Sequence, residues 1–261
     1  MVCKIIAIIN QKGGCAKTTT TIHLGIGLAR QGKRVLLVDA DPQASMTIAL
    51  GWKRPDDITV TLANLLQAVD AGNVPPPETG ILHHAEGVDL IPSSIILSNF
   101  EAAMVNMECR EQLMRGFLAD MKDLYDYILI DNLPSLGLLT VNTLTAADSI
   151  IIPVQPEYLS TVGMTQLLES FQRVRRKLNP ALKIEGILIT MADLRSNHAY
   201  DAAKAIRASY GAKVRVFDTN IPLSVKVREA SMAGVSVYAH SPKSKAALAY
   251  GQFVREVHDN A

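Results

Sequence analysis

Short apolar runs recur along this chain at 5–9, 35–38, 88–91, 128–130, 150–154, 187–189 and 214–217. They are rich in β-branched residues, and most are continuous rather than alternating, as strands covered on both faces should be. Between them lie patterns with helical spacing. One over 18–30 ends at Gly32, and others cover 111–123, 161–178 (stopping before Pro180) and 196–209 (ending near Gly211). Ser241-Pro242 carries an N-cap and first-turn proline signature that predicts a last helix over 243–257. Strand–helix alternation of this kind predicts an α/β fold: one mainly parallel, twisted sheet with helices on both faces and right-handed crossovers. Residues 51–80 break the rhythm. A short helix around 62–69 stands between Trp52–Asp57 and the prolines Pro75, Pro76 and Pro77, which exclude regular structure. The segment reads as an irregular excursion at the sheet edge of a single domain spanning 1–261.

Chemistry enters directly behind the first apolar run. Gln11 to Thr21 read QKGGCAKTTTT, so a buried strand opens into a glycine-rich turn and then a helix. That arrangement suits a polyphosphate. Gly13 and Gly14 let backbone N–H groups close on phosphate oxygens, Lys17 reaches the β/γ-phosphates, and Thr18 can ligate Mg²⁺. The strict phosphate-loop pattern wants glycine at positions 11 and 16, where this chain has Gln11 and Ala16. Two further segments complete a nucleotide site. The run at 35–38 leads into Asp39-Ala40-Asp41-Pro42-Gln43, and the run at 128–130 ends in Asp131, a carboxylate suited to holding Mg²⁺ through water.

Lys12, ahead of Gly13-Gly14, is the informative departure. KGGxxKT resembles the deviant Walker A motif of the ParA/MinD ATPases, which are P-loop NTPases. DADPQ, YDYILIDNLPSLG, PVQPEYLSTVGMTQLL, ILITMADLRSN and HSPKSKAALAY extend a resemblance to the ParA/Soj-type partition ATPases over nearly the whole chain. The resemblance implies ATP and Mg²⁺ as cofactors, with nucleotide contacts from Lys12 through Thr19 (Gly13, Gly14, Cys15, Ala16, Lys17 and Thr18 between them) and from Pro222. It implies that Lys12 reaches the nucleotide of a partner subunit, that Asp41 orients the attacking water, and that Thr18, Asp39 and Asp131 support the Mg²⁺ region. It further implies an ATP-dependent homodimer that binds double-stranded DNA non-specifically through Arg195 and Lys226, a ParB-like activator, and a cytoplasmic, nucleoid-associated life; Arg228 joins the DNA-binding set by its charge. Lys204, Arg207 and Lys245 are DNA candidates by charge alone.

Three departures from the family pattern stand out. Asn132-Leu133 replaces the first two residues of its xPPSLG stretch. Cys15 is either a thiol activated by a helix N-terminus or a small side chain that fits. Around Ile221–Ala230 one family arginine is leucine, another is lysine, and Arg228 is added.

Composition narrows the alternatives. The net charge of +1 conceals 11 basic and 18 acidic residues over 1–170 against 15 and 7 over 171–261. A basic C-terminal part beside an acidic one suggests a polyanion-facing surface there. Three cysteines without metal-ligand spacing argue against a disulfide framework and against a cluster-bearing ATPase resembling the nitrogenase iron protein. No apolar run approaches a membrane span, no signal peptide is evident, and the C-terminal segment has too weak an apolar face for the anchor of a MinD-like membrane ATPase. A ParA-like ATPase that positions a protein cargo stays open as an alternative.

Overall fold

The computed structural model describes residues 3–157, 160–193 and 196–259. In chain order the elements are β1 (Lys4–Ile8), α1 (Lys17–Ala29), β2 (Val35–Ala40), α2 (Ser45–Ala49), α3 (Leu62–Asp70), β3 (Leu82–His83) and β4 (Asp89–Ile91). They continue with α4 (Ile96–Ala103), α5 (Leu113–Leu118), β5 (Tyr127–Asn132), α6 (Leu138–Ala146), β6 (Ser149–Val154), α7 (Ser160–Lys177), β7 (Lys183–Ala192) and α8 (Asn197–Tyr210). The last are β8 (Val216–Pro222), α9 (Val225–Ala233), α10 (Val237–His240) and α11 (Lys245–His258). One sheet runs in the order β3-β4-β2-β5-β1-β6-β7-β8. Every pairing is parallel except β3 on β4.

The two-residue period of a strand divides the core. Ile5, Ala7 and Ile9 point into a layer shared with α3 to α8, while Ile6 and Ile8 point into one shared with α1, α2, α9, α10 and α11. Helices therefore cover both faces, which is why the strand runs are continuously apolar. The apolar face of α11 (Tyr250, Phe253, Val254 and Val257) is buried against α1 and β8. That face of the helix is committed to the core. Among the described residues no helix is long and apolar enough to cross one.

Several boundaries differ from expectation. Ser244, not Ser241, caps the last helix, accepting a bond from the Ala247 N–H at 3.2 Å, while Ser241 closes α10. The helix expected over 111–123 holds only from Leu113 to Leu118, because i→i+3 bonds at Met121 and Leu124 tighten the chain into turns. The run at 214–217 becomes a strand only at Val216 and continues to Pro222.

Strand β8 is a sheet edge, and backbone groups over its first four residues are already taken. Arg207 donates to the carbonyls of Val216, Phe217 and Asp218, and Glu256 accepts from the N–H groups of Asp218 and Thr219. Such an edge offers little template for strand addition. Arg207 is thus half-buried at the edge, which corrects its place among the DNA candidates.

His23 ties the helix behind the phosphate loop to the C-terminal layer. Its Nδ1–H donates to the Thr19 carbonyl at 2.7 Å, its Nε2 accepts from the Val237 N–H at 3.0 Å, and the ring stacks on Tyr250. Both nitrogens serve only if the ring is neutral, and burial pushes its pKa down to about 4. The unfolded chain takes up this proton near pH 6.5 and the folded one only near 4, so stability falls as pH drops through that window. At pH 5 the loss from this group is about 2 kcal/mol. Urea unfolding at pH 7 and pH 5 should show the wild type losing that much more than His23→Gln. Equal losses would exclude the assignment.

Candidate functional site

The site forms at the carboxyl ends of β1, β2 and β5, where α/β folds bind ligands. The sharp turn from β1 into α1 is held by side chains far away in sequence. Asn10 Nδ2 donates to the Pro153 carbonyl at 2.7 Å while its Oδ1 accepts from the Lys12 N–H at 3.0 Å. Gln155 Nε2 holds the Gly14 carbonyl at 3.0 Å, and the Thr190 hydroxyl holds that of Cys15 at 2.9 Å. With these carbonyls turned outward, the N–H groups of Gly13 and Gly14 have no acceptor among the described residues. A Cβ added to either glycine would meet nothing within 4 Å, so the cradle is open on its ligand side.

Gly14 has φ 72° and Ala16 has φ 68°. The left-handed turn at 16 explains why the strict motif wants glycine there. This chain carries an alanine instead, at a cost of roughly 1–2 kcal/mol of local strain.

The two lysines are disposed differently. Lys17 is 7% exposed and turns its ammonium inward to the Lys12 carbonyl at 3.3 Å, lying within the loop where phosphate oxygens would lie. Lys12 stays on the rim, paired with the exposed carboxylate of Glu157. One ammonium lies within its own loop and the other is held by Glu157.

Three carboxylates line the opposite wall. Asp39 and Asp131 are register partners on β2 and β5, and Ile8 at the end of β1 is the other register neighbour of Asp131. Asp39 is fully buried and accepts from the Thr47 hydroxyl at 2.7 Å, the Thr47 N–H at 2.9 Å and the Asp41 N–H at 3.2 Å. Desolvation nonetheless pushes its pKa up to about 6. Asp131 is also fully buried, and neither of its oxygens has a hydrogen-bond partner. Burial first, then the charge of Asp39, holds its pKa well above the usual carboxylate range, and only Thr18 and Lys17 pull it down.

Two unneutralised carboxylates on adjacent strands, one of them orphaned, fit a hydrated divalent cation. Among the described residues no cluster of three His, Cys, Asp or Glu could hold a metal unaided. The ion must therefore take ligands from hydroxyl, water and phosphate, which is how Mg²⁺ is commonly bound. Asp41, 9% exposed, follows β2 with Oδ1 accepting from the Gln43 N–H at 2.9 Å.

Other expected site residues fall as follows. Thr18 and Thr19 lie in the first turn of α1. Cys15 is fully buried with its thiol donating to the Lys12 carbonyl, and burial pushes its pKa up, which removes the activated-thiol reading. Pro222 closes β8 at the same carboxyl edge, three strands from β1. Lys226 and Arg228 are exposed on α9 beyond it, and Lys226 is paired with Glu229 at 2.8 Å. Arg195 lies outside the described residues. Asn132, the departure after Asp131, ends β5 and donates from Nδ2 to the carbonyls of Ile8 and Ile130, stitching β5 to β1 beside the loop. Asn10, Thr47, Gln155 and Thr190 were missed in the sequence. Gln155 and Thr190 lie inside the quoted segments PVQPEYLSTVGMTQLL and ILITMADLRSN, and Asn10 directly precedes the loop, so only Thr47 gave no local sign.

A glycine cradle, an inward lysine, a first-turn threonine and a buried acidic wall define a P-loop NTPase with a deviant loop. Residues 3–184 match the family model described as an AAA domain. The chain is 41% identical to the sporulation initiation inhibitor protein Soj of Bacillus subtilis, covering 98% of this chain and 99% of that one. It is 40% identical to the chromosome partitioning protein ParA of Caulobacter vibrioides, covering 97% and 93%. Among solved structures, a cobyrinic acid a,c-diamide synthase of Mycobacterium smegmatis with bound ATP analogue and magnesium superposes with TM-score 0.85 at 35% identity, covering 100% and 98%. The chain belongs to the ParA/Soj family of partition ATPases. As a member it is an ATPase with ATP and Mg²⁺ as cofactors, the pair that the cradle and the orphaned Asp131 fit.

Proposed function

We propose that this ATPase closes around ATP as a sandwich dimer, binds duplex DNA non-specifically in that state, and drives partition of a replicon with a ParB-like activator. The observation that carries the proposal is the placement of the two lysines: Lys17 fills its own loop, while Lys12 stands outside it on an exposed rim. A lysine so placed is free to cross to the phosphates of a facing copy, and its bond to Glu157 is an exposed pair of the kind that breaks at small cost. Lys12 then supplies in trans the charge that an arginine finger supplies elsewhere. Asp41 orients water, Thr18 would hold Mg²⁺ with Asp39 and Asp131 acting through water, and Pro222 borders the base. The ion, when bound, neutralises charge on the transferring phosphoryl group.

Arg195, Lys226 and Arg228 contact DNA phosphates without reading bases. The acidic N-terminal part offers a surface for a basic activator segment. The protein is cytoplasmic and nucleoid-associated on this reading. The diamide synthase shares the fold, but the partition relatives match at higher identity over nearly the full chain.

The test combines light scattering with duplex anisotropy. Wild type should dimerise and bind unrelated duplexes in ATP and Mg²⁺, and much less in ADP. Log Kd should rise linearly with log salt, and Lys226→Ala should make that slope shallower by about one unit for each phosphate it leaves unneutralised. Lys12→Ala should keep nucleotide binding and lose both the dimer and the DNA. An ATP-bound dimer without duplex affinity at low salt would sink the DNA role and favour a protein cargo. Normal dimerisation of Lys12→Ala would sink the role given to that lysine.

A further inference from the structure

The end of the sheet opposite the nucleotide site holds a second recess. It has a volume of about 370 Å³ and lies where β7 begins and the chain enters β8, under the C-terminal half of α7. Its floor is apolar, with Phe171 and Leu182 2% and 1% exposed. Its rim carries Arg175, Lys183, Lys213 and Arg215, and no carboxylate among the described residues lines it.

Two other cations at this end of the sheet are paired, Lys4 with Glu185 at 3.0 Å and Arg34 with Asp126 at 3.0 Å. Arg215 is likewise fixed, bonded to Glu256 at 3.4 Å and stacked on Phe217 with its guanidinium 4.6 Å from the ring centre. Arg175, Lys183 and Lys213 are different, forming no ion pair among the described residues. Three unneutralised cations and one anchored guanidinium thus ring an apolar floor.

We propose that this recess is a docking site for an acidic peptide segment of a partner protein. One bulky apolar side chain enters over Phe171 and Leu182, and flanking carboxylates meet Arg175, Lys183 and Lys213. The volume lies within the usual range for small binding sites, about 300–1,000 Å³. A ring of like charge over a desolvated floor favours an occupant that is both anionic and apolar, since charge alone gains little at an exposed rim and an anchor alone leaves the cations unused. Duplex DNA fits poorly, because its phosphates lie on a convex rod that cannot enter a recess and draw nothing from an apolar floor. The nucleotide edge lies at the other ends of the same strands, so a partner seated here leaves it clear.

The experiment is fluorescence anisotropy on the full-length protein with labelled peptides of about seven residues. Each has a central phenylalanine, leucine, tryptophan or alanine among glutamates, and a control set carries lysines instead. The phenylalanine, leucine or tryptophan member should bind with Kd on the order of 100 μM or tighter, and the alanine member at least about fivefold more weakly. Lys183→Glu with Lys213→Glu should weaken binding about tenfold or more. ATP turnover should be unchanged, since both residues lie outside the nucleotide site. Three results would overturn the proposal: no apolar-centred acidic peptide binding better than the alanine one, affinity unmoved by the double charge reversal, or lysine-flanked peptides binding equally. Loss of duplex affinity in the double variant, with the peptides silent, would reassign the cations to DNA and also overturn it.

Discussion

Lys17→Ala is expected to abolish nucleotide binding at working concentrations. The ammonium of Lys17 is buried inside the loop at the Lys12 carbonyl, facing a wall that already holds Asp39, Asp41 and Asp131. Removing it leaves the polyphosphate to approach three carboxylates with only the backbone N–H groups and the ion to offset them. Truncating one member of a buried charge pair typically costs about 2–5 kcal/mol, so ATP affinity should fall on the order of 10²- to 10³-fold. Isothermal titration with ATP and Mg²⁺ reads this directly, and circular dichroism checks that the fold is kept. Lys12→Ala is the contrast: it should leave monomer affinity within a few-fold of wild type, because Lys12 lies outside its own loop on Glu157. If the two variants lose affinity equally, the division of labour between the lysines is wrong.

In the sequence that division rested on the resemblance carried by KGGxxKT, and the structure puts the Lys17 ammonium inside the loop and that of Lys12 on Glu157. The strand runs could be read because both faces of the sheet are covered, which makes β1, β2, β5 and β6 continuously apolar. Helices without a polar face escaped notice. In α6 the polar residues Asn142, Thr143 and Thr145 are themselves buried, with the threonine hydroxyls bonded back to carbonyls four residues earlier, so no amphipathic stripe is left to see. Strand β3 is two residues long and carries no periodicity.

The site was visible where its residues are contiguous and invisible where the fold assembles it. Asn10 meets Pro153 across 143 positions and Thr190 meets Cys15 across 175, and no local pattern predicts such pairs. Charge misled in the same way. Arg207 counts as a cation in the sequence, yet its guanidinium is occupied by the backbone of β8.

Asp41→Ala is expected to separate binding from turnover. Asp39 and Asp131 are fully buried and make up the acidic wall against which the ion would sit, whereas Asp41 follows β2 and keeps some exposure. Its Oδ1 accepts from the Gln43 N–H, which fixes the carboxylate's orientation and leaves Oδ2 for a water. A carboxylate held at the border of a phosphate cradle positions and polarises a nucleophile, a contribution worth about 10²- to 10⁴-fold in rate. It adds little to ground-state affinity, because it repels the γ-phosphate rather than attracting it. The variant should therefore bind ATP at least as tightly as wild type, close the dimer, and lose hydrolysis by on the order of 10²-fold or more. Dimer and duplex should then persist after excess ADP is added, because the state that releases them is never reached. Single-turnover hydrolysis measured beside duplex dissociation decides the matter. Loss of ATP binding in Asp41→Ala would make the residue part of the cradle's structure, through the bond that its Oδ1 accepts from the Gln43 N–H. Unchanged turnover would place the water elsewhere, with Asp131, whose two unpartnered oxygens make it the next group to test.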